Sequence, residues 1–157
     1  MRNIMASRGQ TRQLPSMAWI MAFTIALTVI MPVGAQTAQT DIIEHRAGGI
    51  DVAVRFDNLD NFRAGSATAL EFTISMDTHV VNLFQFDLTE VTQIRVNGQV
   101  IDATSYRWVG ESEDSHHRLG RLIVDAPPEL HGAAVTGDIE LRMLGVGTAV
   151  RTFSWES

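Results

Sequence analysis

The sequence predicts an all-β protein: an immunoglobulin-like antiparallel sandwich of seven or eight strands, preceded by an N-terminal signal helix. Three observations predict it. After residue 49, apolar side chains recur at every second position in short runs. Turn residues interrupt those runs about every 8 to 12 residues. No segment of 3.6-residue periodicity follows residue 36.

The elements follow in order. Arg2, Arg8 and Arg12 form a positive leader, residues 17–31 are apolar apart from Thr24 and Thr28, and Pro32 ends the run. Val33-Gly34-Ala35 then sets small residues where a signal peptidase reads, so residues 1–35 are expected to be a signal peptide cut before Gln36. The competing expectation is an uncleaved membrane anchor. The apolar run is 19 residues with 32–35 included, against the roughly 20 that span a bilayer. Pro32 and the small residues favour cleavage. The mature protein is then periplasmic or extracellular, with no membrane partner; the alternative is anchorage through the leader.

Residues 36–49 are polar and aperiodic and end in Gly48-Gly49, which reads as a flexible lead-in that leaves His45 in solvent. The sandwich domain is assigned to residues 50–157. Ile50, Val52, Val54 and Phe56 make one strand, and Leu70, Phe72, Ile74 and Met76 another, with Asp57-Asn58 and Gly65-Ser66 as breaks between them. Residues 80–88 read as a further apolar run of ambiguous face. Asn97-Gly98 between Ile94, Val96 and Val100 is a hairpin signal, because Asn-Gly accepts the positive φ angles of a type I′ turn. Tyr106 and Trp108 start another strand, and residues 110–118 read as a charged loop. Strands at Leu122, at Ile139, Leu141 and Met143, and at residues 150–155 complete the set. Trp108, Trp155, Phe56, Phe72 and Phe153 are the expected aromatic core.

Composition narrows the function. The 157 residues contain no cysteine, which excludes disulfides, thiolate metal sites and a cysteine nucleophile. All twelve basic residues are arginine, so a phosphate-loop or Schiff-base lysine is absent. Cleavage at residue 35 removes 3 of the 12 arginines and none of the 18 acids, leaving 9 against 18, a formal charge of −9. Such a surface repels nucleic acid and anionic lipid. No zinc-protease, nucleophile-elbow, phosphate-loop or calcium-loop motif occurs, and the chain is not expected to be an enzyme.

One constellation carries chemical content. His116 and His117 in a loop can turn toward one point, and His79 at a strand edge can supply a third imidazole, with Asp77 or Met76 beside it. That set suits Cu or Zn. The competing reading is structural: imidazoles pin the loop to backbone carbonyls, Arg118 and the nearby acids form a salt-bridged cluster, and Asp77, Trp108 and Arg118 serve loop pinning or partner contact. His131 reads as solvated.

Thr78-His79-Val80-Val81-Asn82-Leu83, His116-His117-Arg118-Leu119-Gly120-Arg121-Leu122 and Arg151-Thr152-Phe153-Ser154-Trp155 together resemble a family of small exported prokaryotic β-sandwich domains without an established activity. The resemblance covers about residues 50–156. Here Val80, Asn82 and Ser115 stand where the family pattern has Ser, Asp and Gly. It implies an exported binding module of the cell envelope, in an interaction or scaffold role with another envelope protein as partner. The alternative is a Cu or Zn site at His79, His116 and His117.

Overall fold

The computed structural model describes residues 42–102 and 105–156; the expected signal segment and residues 36–41 of the lead-in lie outside the described residues. Alternation becomes strand nearly everywhere it was read. β1 (Ile42–Ala47), β2 (Ile50–Phe56), β3 (Ala69–Thr78), β7 (His117–Asp125) and β6 (Tyr106–Glu113) hydrogen-bond in that order into one sheet. β5 (Gln99–Val100), β4 (Thr92–Val96), β8 (Ile139–Leu144) and β9 (Val150–Trp155) form a second. Every pairing is antiparallel. The described residues are therefore all-β in two sheets, with helix confined to the short α1 (Leu59–Arg63) and α2 (Leu88–Val91) and to single 3-10 turns.

Period-2 alternation sends one set of side chains from each sheet into a shared core. Val52, Val54, Phe72, Ile74, Leu122 and Val124 come from the five-stranded sheet, and Ile94, Leu141, Met143 and Phe153 from the four-stranded one. Of the expected aromatic core, Phe56, Phe72, Phe153 and Trp155 are buried. Phe72 lies 4.4 Å from Phe56 and 5.6 Å from Trp155, centroid to centroid. Trp108 is only half-buried.

β9 carries an arginine on its inward face. Arg151, 2 % exposed, alternates with Phe153 and Trp155. Its guanidinium donates to four backbone carbonyls: Nε to Val146 at 2.7 Å, Nη1 to His45 at 2.6 Å, and Nη2 to Ala47 at 2.6 Å and Ile50 at 2.8 Å. One side chain thus ties β9 of one sheet to the β1–β2 hairpin of the other. Burial lowers its pKa, against a smaller opposing pull from Asp51. Glycine makes the approach possible. Gly147 sits at φ +66°, and a Cβ there would lie 2.7 Å from the Ala47 carbonyl oxygen and 2.9 Å from Nη2 of Arg151.

Three segments differ from expectation. Residues 42–47 are a strand rather than lead-in: Gly48 and Gly49, at φ +57° and +74°, form a two-residue hairpin turn that folds β1 back on β2. His45 then faces inward, its ring 4.7 Å from that of Phe153. Residues 80–88 are not a strand, because Asn82 and Asp87 accept hydrogen bonds from Phe84 N and Thr89 N and start a 3-10 turn and α2. Residues 110–118 are mostly paired: β6 runs to Glu113 and β7 begins at His117, leaving a short turn between. The Asn97-Gly98 hairpin forms as read, with φ +51° and +76°.

Replacing Arg151 with alanine is expected to cost about 2–4 kcal/mol, since it deletes charge-assisted bonds to several carbonyls at once. Gly147→Ala should be destabilising as well, through backbone strain and crowding of the same contact. Denaturant unfolding of both variants checks this; a loss below about 0.5 kcal/mol for Arg151→Ala, the range of an ordinary surface change, would contradict it.

Candidate functional site

The sequence-selected residues meet where β3 ends and the β6–β7 hairpin turns. Inward positions on β7 are Arg118, Gly120 and Leu122; outward ones are His117, Leu119 and Arg121. This parity sends the two members of the His117-Arg118 pair to opposite faces.

Arg118 goes in. Its side chain is 8 % exposed, and both Nε and Nη2 donate to Oε1 of Glu113 at 2.8 Å. Nη1 donates to the carbonyls of Leu83 at 3.2 Å and Phe86 at 2.8 Å. Its guanidinium carbon lies 5.5 Å from the Trp108 ring centroid and 5.7 Å from that of Phe84, within cation–π range. Trp108 Nε1 donates to the same Glu113 oxygen at 2.9 Å. Burial pushes the Glu113 carboxyl up, but the bonds from Trp108 and Arg118 and the arginine charge outweigh it and hold its pKa below the usual value. Gly120 makes room for the facing β6 backbone and for the indole: a Cβ there would lie 2.5 Å from the Val109 carbonyl oxygen and 2.6 Å from the Trp108 ring.

The loop after β3 is fastened to this hairpin. Thr78 N donates to the His116 carbonyl at 2.9 Å and Leu83 N to the Ser115 carbonyl at 2.8 Å. Leu83 is fully buried. Asp114 shapes the turn by accepting from the backbone N–H of His116 and of His117, both at 2.7 Å, and those bonds lower its pKa.

His117 goes out and meets Asp77 across the β3–β7 ladder, with Nδ1 2.5 Å from Oδ1. The bond from Asp77 raises the pKa of His117; desolvation opposes it, and the charges of Asp114 and Asp77 add smaller upward pulls. The His79 ring stands edge-on to that of His117, centroids 6.4 Å apart. His116 joins the group through its backbone. Among the described residues, no group of three or more His, Asp or Glu is arranged to hold a metal ion.

The expected residues therefore form two groups on opposite faces of β7, Arg118 with Trp108 inside and His117 with Asp77 outside, and the pinning group is chiefly Arg118. It binds backbone carbonyls as histidine was expected to, while His117 binds a carboxylate. The imidazole that does reach a carbonyl is that of His131, expected to be solvated, whose Nε2 donates to Ala126 O at 2.8 Å. Glu113 is one of the acids expected to pair with Arg118, though the pair is held inside rather than solvated; sequence reasoning missed Phe84 as a member. The readable signal for Glu113 was its opposite charge to Arg118 across a short turn, which places the two opposite each other in the hairpin.

A comparison with protein-family models finds no match, and a comparison with curated proteins finds none either.

His117 has its folded-state pKa raised, so its bond to Asp77 adds stability that is full below the unfolded value of about 6.5 and is lost as pH rises through the folded one. An NMR titration of the imidazole should show an apparent pKa above the ordinary value that drops back in Asp77→Asn. A His117 pKa unmoved by that substitution would contradict the assignment. Gly120→Ala should displace the indole and lower the Trp108 Nε1–H protection from solvent exchange; unchanged protection would show that the ring does not need that space.

Proposed function

We propose that the protein is an exported, non-enzymatic binding module of the cell envelope, with an immunoglobulin-like sandwich presenting a fixed loop to another envelope protein. It fits the resemblance to the small exported prokaryotic β-sandwich domains. The observation that carries the reading is the state of residues 79–87. Val80 is 71 % exposed and Phe84 55 % exposed, among the most exposed large apolar side chains of the described residues. They sit on a loop held by Arg118, Leu83 and Thr78. Apolar groups kept in water on a preorganised segment suit partner contact, because little conformational entropy is lost when they are covered. Export rests on the leader sequence; among the described residues no helix is long and apolar enough to cross a membrane.

The Cu or Zn alternative has two neighbouring imidazoles, His79 and His117, but the latter is engaged by Asp77 and no third ligand is arranged with them among the described residues. Loop pinning accounts for more of the contacts.

Two measurements test this. Calorimetric titration of the purified protein with Cu(II) and Zn(II) should give only weak heats, equal in a variant carrying His116→Ala and His117→Ala; a tight site lost in the variant would turn the assignment to metal. A photo-crosslinking residue at position 84, introduced in the producing cell, should give a discrete adduct that Val80→Asp abolishes and that the same probe at Thr136 does not give. No adduct at 84, or the same adduct at both positions, would overturn the partner reading.

A further inference from the structure

Among the described residues the two sheets have four edges, of which one is bulged, one is very short and one is capped at its C-terminal end. β6 carries a register shift between Gly110 and Ser112, a bulge that disrupts regular pairing at that edge. β5 is only two residues long. β9 is capped at its end by Arg63, whose Nη2 donates to the carbonyls of Trp155 at 3.1 Å and Glu156 at 2.6 Å. The remaining edge, β1, is a regular six-residue strand, and among the described residues it pairs only with β2.

The turn fixes which backbone groups of β1 are open. In a two-residue hairpin the residues flanking the turn, here Ala47 and Ile50, exchange hydrogen bonds, and the pattern alternates outward from them. Ala47, His45 and Ile43 therefore bond to β2, and the N–H and C=O groups of Arg46, Glu44 and Ile42 point away from it. Their side chains are the exposed set of the strand, and Ile42 is 55 % exposed.

Those open positions spell a self-complementary code. If a second copy of β1 lies antiparallel beside the first with His45 opposite His45, then Glu44 faces Arg46 of the copy, Arg46 faces Glu44, and both pairs fall on the open backbone groups. The charges are engaged within the chain only by exposed ion pairs, Arg46 with Glu44 of its own strand at 3.9 Å and with Asp51 at 3.4 Å, all three side chains being more than half exposed and such pairs weak enough to exchange. A one-residue slip in either direction would break the charge match and the bonding parity together.

We infer that β1 is a homotypic docking edge: two copies of this chain join their five-stranded sheets into one continuous sheet through antiparallel β1–β1 pairing, in a two-fold, salt-sensitive dimer.

The test uses protein purified from cells expressing the full chain, with mass measured by sedimentation across a concentration series. The native protein should dimerise, and more weakly as salt is raised. Glu44→Arg and Arg46→Glu should each be monomeric at concentrations where the native protein is dimeric, since each sets like charges opposite. The two single variants mixed in equal amounts should form a heterodimer, and the double exchange in one chain should restore the homodimer. Glu44→Pro, which removes an N–H that no neighbour among the described residues uses, should keep the native circular dichroism and lose the dimer. A native protein that stays monomeric, or single charge variants that dimerise as well as the native, would overturn the inference.

Discussion

The fold depends on guanidinium groups taken out of water and satisfied by backbone carbonyls. Arg151 is the clearer case. A two-sheet protein without cysteine has no covalent tie between its layers, and apolar contact alone is non-directional. The planar fork of Arg151 supplies direction, fixing β9 to the carbonyls of His45, Ala47 and Ile50 at the β1–β2 hairpin. A lysine, with three donors on a point charge, could not reproduce four bonds in this layout. The turn glycines and Gly147 belong to the same device, because the carbonyls are reachable only where the two chain segments nearly touch.

Arg118 repeats the solution at the site. Its partners are two loop carbonyls, one carboxylate and two aromatic faces, so a single side chain connects β7, the Glu113 end of β6, and residues 83–86. The consequence for the surface is direct. Residues 79–87 contain little regular structure, yet they are anchored by Leu83 and by bonds to the hairpin turn, which lets Val80 and Phe84 face water without the segment collapsing over them. His117 and Asp77 form an exposed companion pair on the other face of the same strands, whose strength follows the charge on the imidazole.

Much of the architecture was legible in alternation alone. β2, β3, β4, β8 and β9 follow from inward apolar residues at every second position, and the β4–β5 hairpin from Asn97-Gly98. The failures share a cause: polar residues acting on the backbone. Asn82 and Asp87 diverted an apolar run into helical turns. Gly48-Gly49 was a hairpin turn where composition suggested a linker, and an edge strand such as β1, exposed on one face, shows too little hydrophobic contrast to reveal itself. The site was half visible. Asp77, Trp108 and Arg118 could be chosen from the sequence, but the inward turn of Arg118 depends on where β7 begins, and reading residues 110–118 as a loop concealed it. Arg151 was in plain sight on the face of Phe153 and Trp155; what hid it is the rule that charges stay outside, which fails when four carbonyls converge.

The most direct measurement of this account is solvent exchange at the arginine Nε–H groups, followed by NMR after transfer to deuterated water. If Arg151 Nε is bonded to Val146 O and Arg118 Nε to Glu113 within a packed interior, those two signals persist well after that of the exposed Arg107 is gone. Loss of all three signals together would show that neither guanidinium is held in the interior, and the link between the sheets and the loop would have to be sought elsewhere.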